Sequence, residues 1–362
     1  MIHVVEVMIH VADVVHHVVD VVIHVIGPSH LPRMGLRYLS LLHHWVMRDV
    51  LDNLPWPDFR PDGGLLLPLP TAQWSARLPP SLAWSGPTLR RKHEFHATLL
   101  NRACGSAARQ ALGDEGARRL FQAQDWTLRR TGDARLLHKS GKPPAHSLIE
   151  VVDLPALAAF RSALADATGQ ALPPVLPHVT LYTAGKSEGI GLPDHATLDR
   201  LQIARLRLPG IGNRPPPPLP DTLEAAYRAT EYRVDEAPGL IIRIGEHQAA
   251  CDSLLDRHHV SRALLVSACN PYSEPGSEAG NQLRHALLAA ELGNAGLRSL
   301  PAEGRDPDGQ WPPEPSLLVL GTSAEQDYSL LRDYEQHAAV LFQVGQEAEL
   351  VWHREMRTVT DA

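Results

Sequence analysis

The chain is short of cysteine. It has three in 362 residues, Cys104, Cys251 and Cys269, and no two form a C-x-x-C pair. That argues against a disulfide framework and a structural zinc site, and it fits a reducing cytosol. Beyond residue 34 no apolar run reaches membrane-spanning length, so a cytoplasmic protein with no membrane partner is expected. Lysine is missing from the last stretch altogether. From Glu231 to Ala362 there are 10 Arg, no Lys and 21 Asp/Glu, a local charge of -11. That half does not suit an anionic ligand; its charges read as a solvated face, with a protein partner for the acidic surface as the alternative.

What is present divides unevenly. Residues 1–33 open on a valine-rich heptad in which His3, His10, His17 and His24 recur every seven positions. Valine is a poor helix former, and an odd period alternates each repeated residue between the faces of a strand. A basic n-region is lacking, so a secretory signal is not expected. A short repeat read through from an upstream start, with the true start near Met34, is the favoured reading. The remainder is long enough for two domains. Hydrophobic residues at 44% and charged residues at 21% belong to a soluble globular protein. Between Leu89 and Lys142, 12 Lys/Arg face 5 Asp/Glu, a local +7 that suits an anionic ligand.

The clearest boundary is Pro209-Gly-Ile-Gly-Asn-Arg-Pro-Pro-Pro-Pro-Leu-Pro220, expected to act as a stiff polyproline linker over 209–220. It separates a first domain, about 60–208, from a second, about 221–353. In the first, strands are predicted at Gly64–Leu69, Phe95–Leu100, Ser147–Val152 and Val179–Thr183, with helices at Ala107–Gln124 and Pro155–Thr168. Asp153 is the expected cap of that second helix, and Gly169 lies beyond its end. Thr131-Gly132-Asp133 reads as the turn of a hairpin. In the second, strands are predicted at Leu240–Ile244, Ala263–Ser267, Ser316–Leu320, Ala338–Gln343 and Glu349–Trp352. Helices are predicted at Thr222–Thr230, Ser277–Leu292 and Ala324–Gln336. Pro301 to Pro315 reads as a long loop. The alternation describes a mixed α/β layered domain.

Two segments carry chemistry: Phe95-His96-Ala97-Thr98-Leu99 and Pro177-His178-Val179-Thr180-Leu181. On a strand, i and i+2 share a face, so each histidine sits beside its own threonine hydroxyl. Two such strands would present two imidazoles and two hydroxyls to one cleft. One neutral imidazole takes a proton, the other gives one, and both work near neutral pH. The hydroxyls can hydrogen-bond phosphoryl oxygens, and no metal or cofactor is needed. A third copy, His195-Ala-Thr-Leu198, follows a turn and reads as a helix start, so it is set aside.

These two motifs, 82 residues apart, resemble those of the 2H phosphoesterases, including the LigT-like RNA 2′,3′-cyclic phosphodiesterases and 2′-5′ RNA ligases. The resemblance covers about 60–208. It implies an α+β fold in which a bilobal, pseudo-symmetric domain turns both motif strands toward a central cleft. It implies His96 and His178 as exchanging acid and base, and Thr98 and Thr180 as phosphate ligands. The implied reaction is hydrolysis of a 2′,3′-cyclic phosphate or a 2′-5′ phosphodiester at an RNA end or small nucleotide. The rival is a non-catalytic RNA- or nucleotide-binding module. Arg102, Arg129 and Arg130 are candidate substrate contacts because guanidinium matches phosphate, and Tyr182 would stack on a base if its strand is regular.

The second domain resembles a bacterial domain family of uncharacterised function. The resemblance rests on Leu223 to Tyr232, Ser267 to Tyr272, Glu278 with Asn281, Trp311 to Glu314, and Gln336 to Val340. Asn270 after a strand and Asn281 in the following helix, with Glu314, form a candidate grip on a small polar ligand. Asn270 as a helix-proximal cap is an equally good reading.

Overall fold

The structure, a computed structural model, describes residues 49–237 and 239–356. The heptad leader lies outside the described residues. Among the described residues, those from Val50 to Met356 form one compact unit built on two curled antiparallel sheets with eight α-helices.

The first sheet has nine strands. In chain order come β1 (Val50–Leu51), β2 (Leu65–Leu69), α1 (Thr71–Ser75), β3 (Ser81–Leu82), β4 (Leu89–Arg91), β5 (Phe95–Leu100) and α2 (Arg102–Gln122). Then follow β6 (Leu128–Lys139), β7 (Ala145–Asp153), α3 (Ala156–Thr168), β8 (His178–Ala184), α4 (His195–Leu201) and β9 (Gln202–Arg207). β8 is central: it pairs with β7 on one side and with both β4 and β5 on the other. One face of the sheet packs on α2 and α3 through Leu99, Phe121, Trp126, Leu148, Phe160 and Leu164. The opposite face carries a smaller cluster, Leu137, Ile149, Leu176, Ile190, Leu192 and Leu198.

Local chemistry explains the helix ends. Asn101 caps α2 by accepting the Cys104 N–H at 2.9 Å. Gly113, at φ 65° and ψ 174°, breaks the helical path within that segment. The helix predicted from Ala107 therefore begins five residues earlier and is kinked. Gly169 ends α3 at φ 64°, a left-handed position that favours glycine. Asp153 is not the cap; it ends β7, and Pro155 leads into α3 without a capping side chain. The hairpin expected around Gly132 is also corrected. Residues 128–139 run as one strand with a register irregularity between Arg130 and Ala134. Gly132, at φ 68°, sits in that bulge, and its N–H is taken by the Glu150 carboxylate at 3.1 Å.

The second sheet follows with α5 (Asp221–Ala229), β10 (Glu231–Val234), β11 (Ile241–Ile242), α6 (Ala249–Arg257), β12 (Arg262–Ser267) and α7 (Glu278–Asn294). It ends with β13 (Ser299–Arg305), β14 (Glu314–Leu320), α8 (Ala324–Asp333), β15 (Ala338–Gln343) and β16 (Glu349–Trp352). Its order is β11-β10-β13-β14-β12-β15-β16, and every pairing is antiparallel. The strand-helix alternation thus does not produce parallel crossovers. Nor is 301–315 one long loop, because its first residues are β13. Pro301 and Gly304 give poor local strand propensity, but ladders on both sides, to β10 and β14, supply what propensity lacks.

The two sheets share a core. Leu283 and Leu287 of α7 are buried with the first sheet's apolar cluster, each contributing about 1.5–3 kcal/mol by burial. Arg284, between them and 1% exposed, donates to the carbonyls of Ala268 and Tyr334, each at 2.6 Å, and to that of Arg207 in β9. Desolvation lowers its guanidinium pKa to about 10. Residues of the proline-rich segment lie against this joint. The Gly210 N–H donates to Asp333 O at 3.0 Å, and Arg214 pairs with Glu335 and Glu274, each at 3.0 Å.

Candidate active site

Ala97 of β5 pairs with Val179 of β8 in antiparallel register, both buried on the helix-packed face. The flanking residues therefore point to the other face, with His96 beside Thr180 and Thr98 beside His178. The two imidazoles belong to diagonal neighbours, roughly 7–8 Å apart across the strand pair and somewhat closer at Cβ, a spacing that fits one phosphoryl group between the rings. All four side chains are half-buried. β2 extends the surface on one side, with Leu66 opposite Thr98 and Pro68 opposite His96. β7 extends it on the other, with Val151 opposite His178 and Ile149 opposite Thr180.

The His178 Nδ1 lies 2.8 Å from the Leu176 carbonyl oxygen. A carbonyl only accepts, so Nδ1 carries the proton and Nε2 is left for chemistry. Burial pushes the His178 imidazole below the ordinary histidine value, and the Leu176 hydrogen bond opposes that shift. Burial likewise lowers His96, helped by Lys92, Arg60 and His178 and opposed by Glu94. A loop closes over Thr180. A Cβ placed on Gly189 would stand 2.6 Å from Thr180 Oγ1, so the backbone there packs directly on the threonine. Lys92 Nζ donates to Ser187 O at 2.9 Å and the Ile190 N–H donates to Ser147 Oγ at 3.1 Å, which pins this loop twice.

The remaining first-domain candidates separate. Arg102 is exposed and pairs with Asp62 at 3.3 Å. Arg129 is exposed, beside Asp153 and two strands away from His178. Arg130 is 7% exposed and donates twice to Glu150, at 3.0 and 2.7 Å, beneath the Trp74 ring; it is structural. Tyr182 is fully buried and donates to Pro79 O at 3.0 Å, so its ring is not open to a base. The reason is a bulge in β8. Leu148 faces Tyr182 while the next residue, Ile149, faces Thr180, so one extra residue turns Tyr182 to the core. The third motif copy lies in α4, where Asp194 caps by accepting the Thr197 N–H at 2.7 Å.

In the second sheet Asn270, Asn281 and Glu314 do meet. Asn270 Nδ2 donates to Glu314 Oε2 at 2.7 Å, and Asn281 Nδ2 donates to Asn270 Oδ1 at 2.9 Å. Burial raises the Glu314 carboxyl, while Ser267 and Asn270 pull it back. Asn270, Tyr272 and Ser273 all have positive φ, at 46°, 48° and 59°. Residues 266–339 match the model of a family described as a protein of unknown function (DUF3293). This segment holds Asn270, Asn281 and Glu314 and stops short of the histidine pair. No curated protein and no solved structure matches the chain.

Sequence reasoning missed Arg60, Gly189, and the pairing of Tyr227 Oη with Ser273 Oγ at 3.1 Å. Gly189 was the legible one: Gly185, Gly189 and Gly191 cluster right after the second motif strand. Among the described residues, no three His, Cys, Asp or Glu side chains gather as a metal site would need. Nor is any helix among them long and apolar enough to cross a membrane.

Proposed function

We propose that the chain is a phosphoric diester hydrolase of the two-histidine type. Its substrate class is a 2′,3′-cyclic phosphate or a 2′-5′ phosphodiester of RNA or a small nucleotide. The observation that carries this reading is the Ala97–Val179 pairing, which supports both His/Thr pairs facing one surface. His96, with Lys92 and Arg60 in its field, is the base. His178, whose Nδ1–H is held by Leu176, is the acid.

In the cyclic-phosphate reaction, His96 takes a proton from water as the water oxygen bonds to phosphorus. The bond from phosphorus to one ribose oxygen breaks, and His178 gives that oxygen a proton. A phosphomonoester and a free hydroxyl result, and proton exchange restores both histidines. Thr98 and Thr180 donate to the non-bridging oxygens. Acid–base catalysis of this kind contributes about 10²–10⁴-fold in rate. Each threonine hydrogen bond contributes about 0.5–3 kcal/mol, the upper end applying when its acceptor is charged.

The test is hydrolysis of nucleoside 2′,3′-cyclic phosphates and short 2′-5′ oligonucleotides by the full chain with EDTA present. Turnover that persists in EDTA and is lost in both His96→Ala and His178→Ala is the expected result. Binding without turnover by the folded wild type would replace this reading with the nucleotide-binding module.

A further inference from the structure

The rim of the His96–His178 surface is asymmetric. On the Thr180 edge the loop from Gly185 to Leu192 is built shut. Gly189 rests on the Thr180 side chain, and Lys92 and Ser147 anchor the loop at Ser187 and Ile190. Ile190 and Leu192 are buried, at 5% and 4% exposure. The Thr98 edge is bordered instead by strand β2, whose residues on this face, Leu66 and Pro68, are half-buried and exposed. There β5 passes to β2 through Thr98 and Leu66, and β2 passes to a short bridge between Phe59 and Leu65.

The turn at that bridge places a cation on the catalytic face. Arg60 N donates to Gly64 O at 2.8 Å, so Arg60 sits opposite Gly64, two residues along from Leu66. By the alternation of side chains, Arg60 shares the face of Leu66 and Thr98. Two strand spacings, about 10 Å, and two residues along the strand, about 7 Å, put its Cα about 12 Å from that of Thr98, and an extended arginine covers part of that distance. Its side chain is exposed. The nearby Asp62 carboxylate already accepts from the Gly64 N–H at 3.0 Å and from Arg102 at 3.3 Å.

From this asymmetry, and resting on the phosphodiester reading above, we propose that the cleft is one-ended and that Arg60 binds the phosphate one nucleotide away from the reacting one. The substrate is then the terminus of an oligonucleotide rather than a free cyclic mononucleotide. The reacting phosphate lies against the closed edge, and the rest of the strand leaves across β2 toward Arg60. A guanidinium suits this position because its fork matches two phosphate oxygens at once.

The experiment compares uridine 2′,3′-cyclic phosphate with the dinucleotide UpU ending in a 2′,3′-cyclic phosphate, using the full chain. The wild type is expected to favour the dinucleotide about tenfold in kcat/KM, the scale of one charge-assisted contact. Arg60→Ala also takes a charge from the field of His96, which acts on both compounds alike and cancels in the ratio; the ratio falls close to one through a higher dinucleotide KM, and Arg60→Lys keeps part of it. Arg60 is exposed, so neither variant threatens folding. A wild-type ratio already near one, or a ratio that Arg60→Ala leaves unchanged, overturns the one-ended cleft and spares the phosphodiester reading. Turnover of neither compound by folded wild type sinks both.

Discussion

Ala97 pairs with Val179 across β5 and β8. These two small apolar residues do no chemistry, yet their register sets where four polar side chains go. A slip of one residue in either strand would turn its His and Thr into the core and its Leu or Val out to the surface. The apolar alternation around both motifs therefore aligns the site as well as stabilising the sheet.

Replacing His178 by Ala is expected to lower kcat/KM by about 10²–10⁴-fold while the melting temperature stays within a few degrees. Thr180→Ala should cost less, about tenfold, because only one hydrogen bond to the phosphoryl group is lost. Steady-state kinetics with thermal unfolding on the same samples check both. A Thr180 effect as large as that of His178 would mean the threonine does more than bind.

The pH profile of kcat/KM tests the base. His96 must be neutral to accept a proton, and burial and Lys92 depress it below the ordinary histidine value. The rising limb should accordingly lie at lower pH than a free imidazole would give. Lys92→Met removes a positive neighbour, so the limb should move to higher pH. Movement to lower pH, or none, would remove Lys92 from the field of His96.

Arg130 and Arg129 are neighbours in sequence with different roles. Arg130→Ala strands the fully buried Glu150 carboxylate and should cost about 3–5 kcal/mol in urea unfolding. Arg129→Ala, at an exposed position, should stay within about 0.5 kcal/mol. Equal effects would contradict the structural assignment of Arg130.

Arg284→Leu takes the guanidinium donor from the Ala268 and Arg207 carbonyls at the joint of the two sheets, while Tyr334 O keeps its bond from Gln336 Nε2 at 3.1 Å. Each buried unsatisfied group costs about 1–3 kcal/mol, so several kcal/mol should be lost. Because Leu283 and Leu287 belong to the first sheet's core, the wild type should unfold from residue 50 onward in one transition. Two separate transitions in calorimetry would show that the sheets are energetically independent.

The sequence alone determined the local features. The strands at Phe95–Leu100 and Ala338–Gln343 matched to the residue, because apolar β-prone runs bounded by polar or turn residues carry their own signal. The end of α3 at Gly169 was legible because only glycine takes that left-handed position without strain. The two His/Thr pairs were legible as pairs, since alternation along a strand needs no partner. What the sequence could not show depended on partners distant in the chain. The β8 bulge that buries Tyr182 is a mismatch with β7, visible only when both strands are laid together. Arg130 reads as a phosphate ligand until Glu150, twenty residues away, comes beneath it. Strand β13 is held by two ladders despite its proline and glycine. The closed Thr180 edge and the open Arg60 edge were tertiary decisions too. Burial and backbone register act between segments, and a periodicity read along one segment cannot contain them.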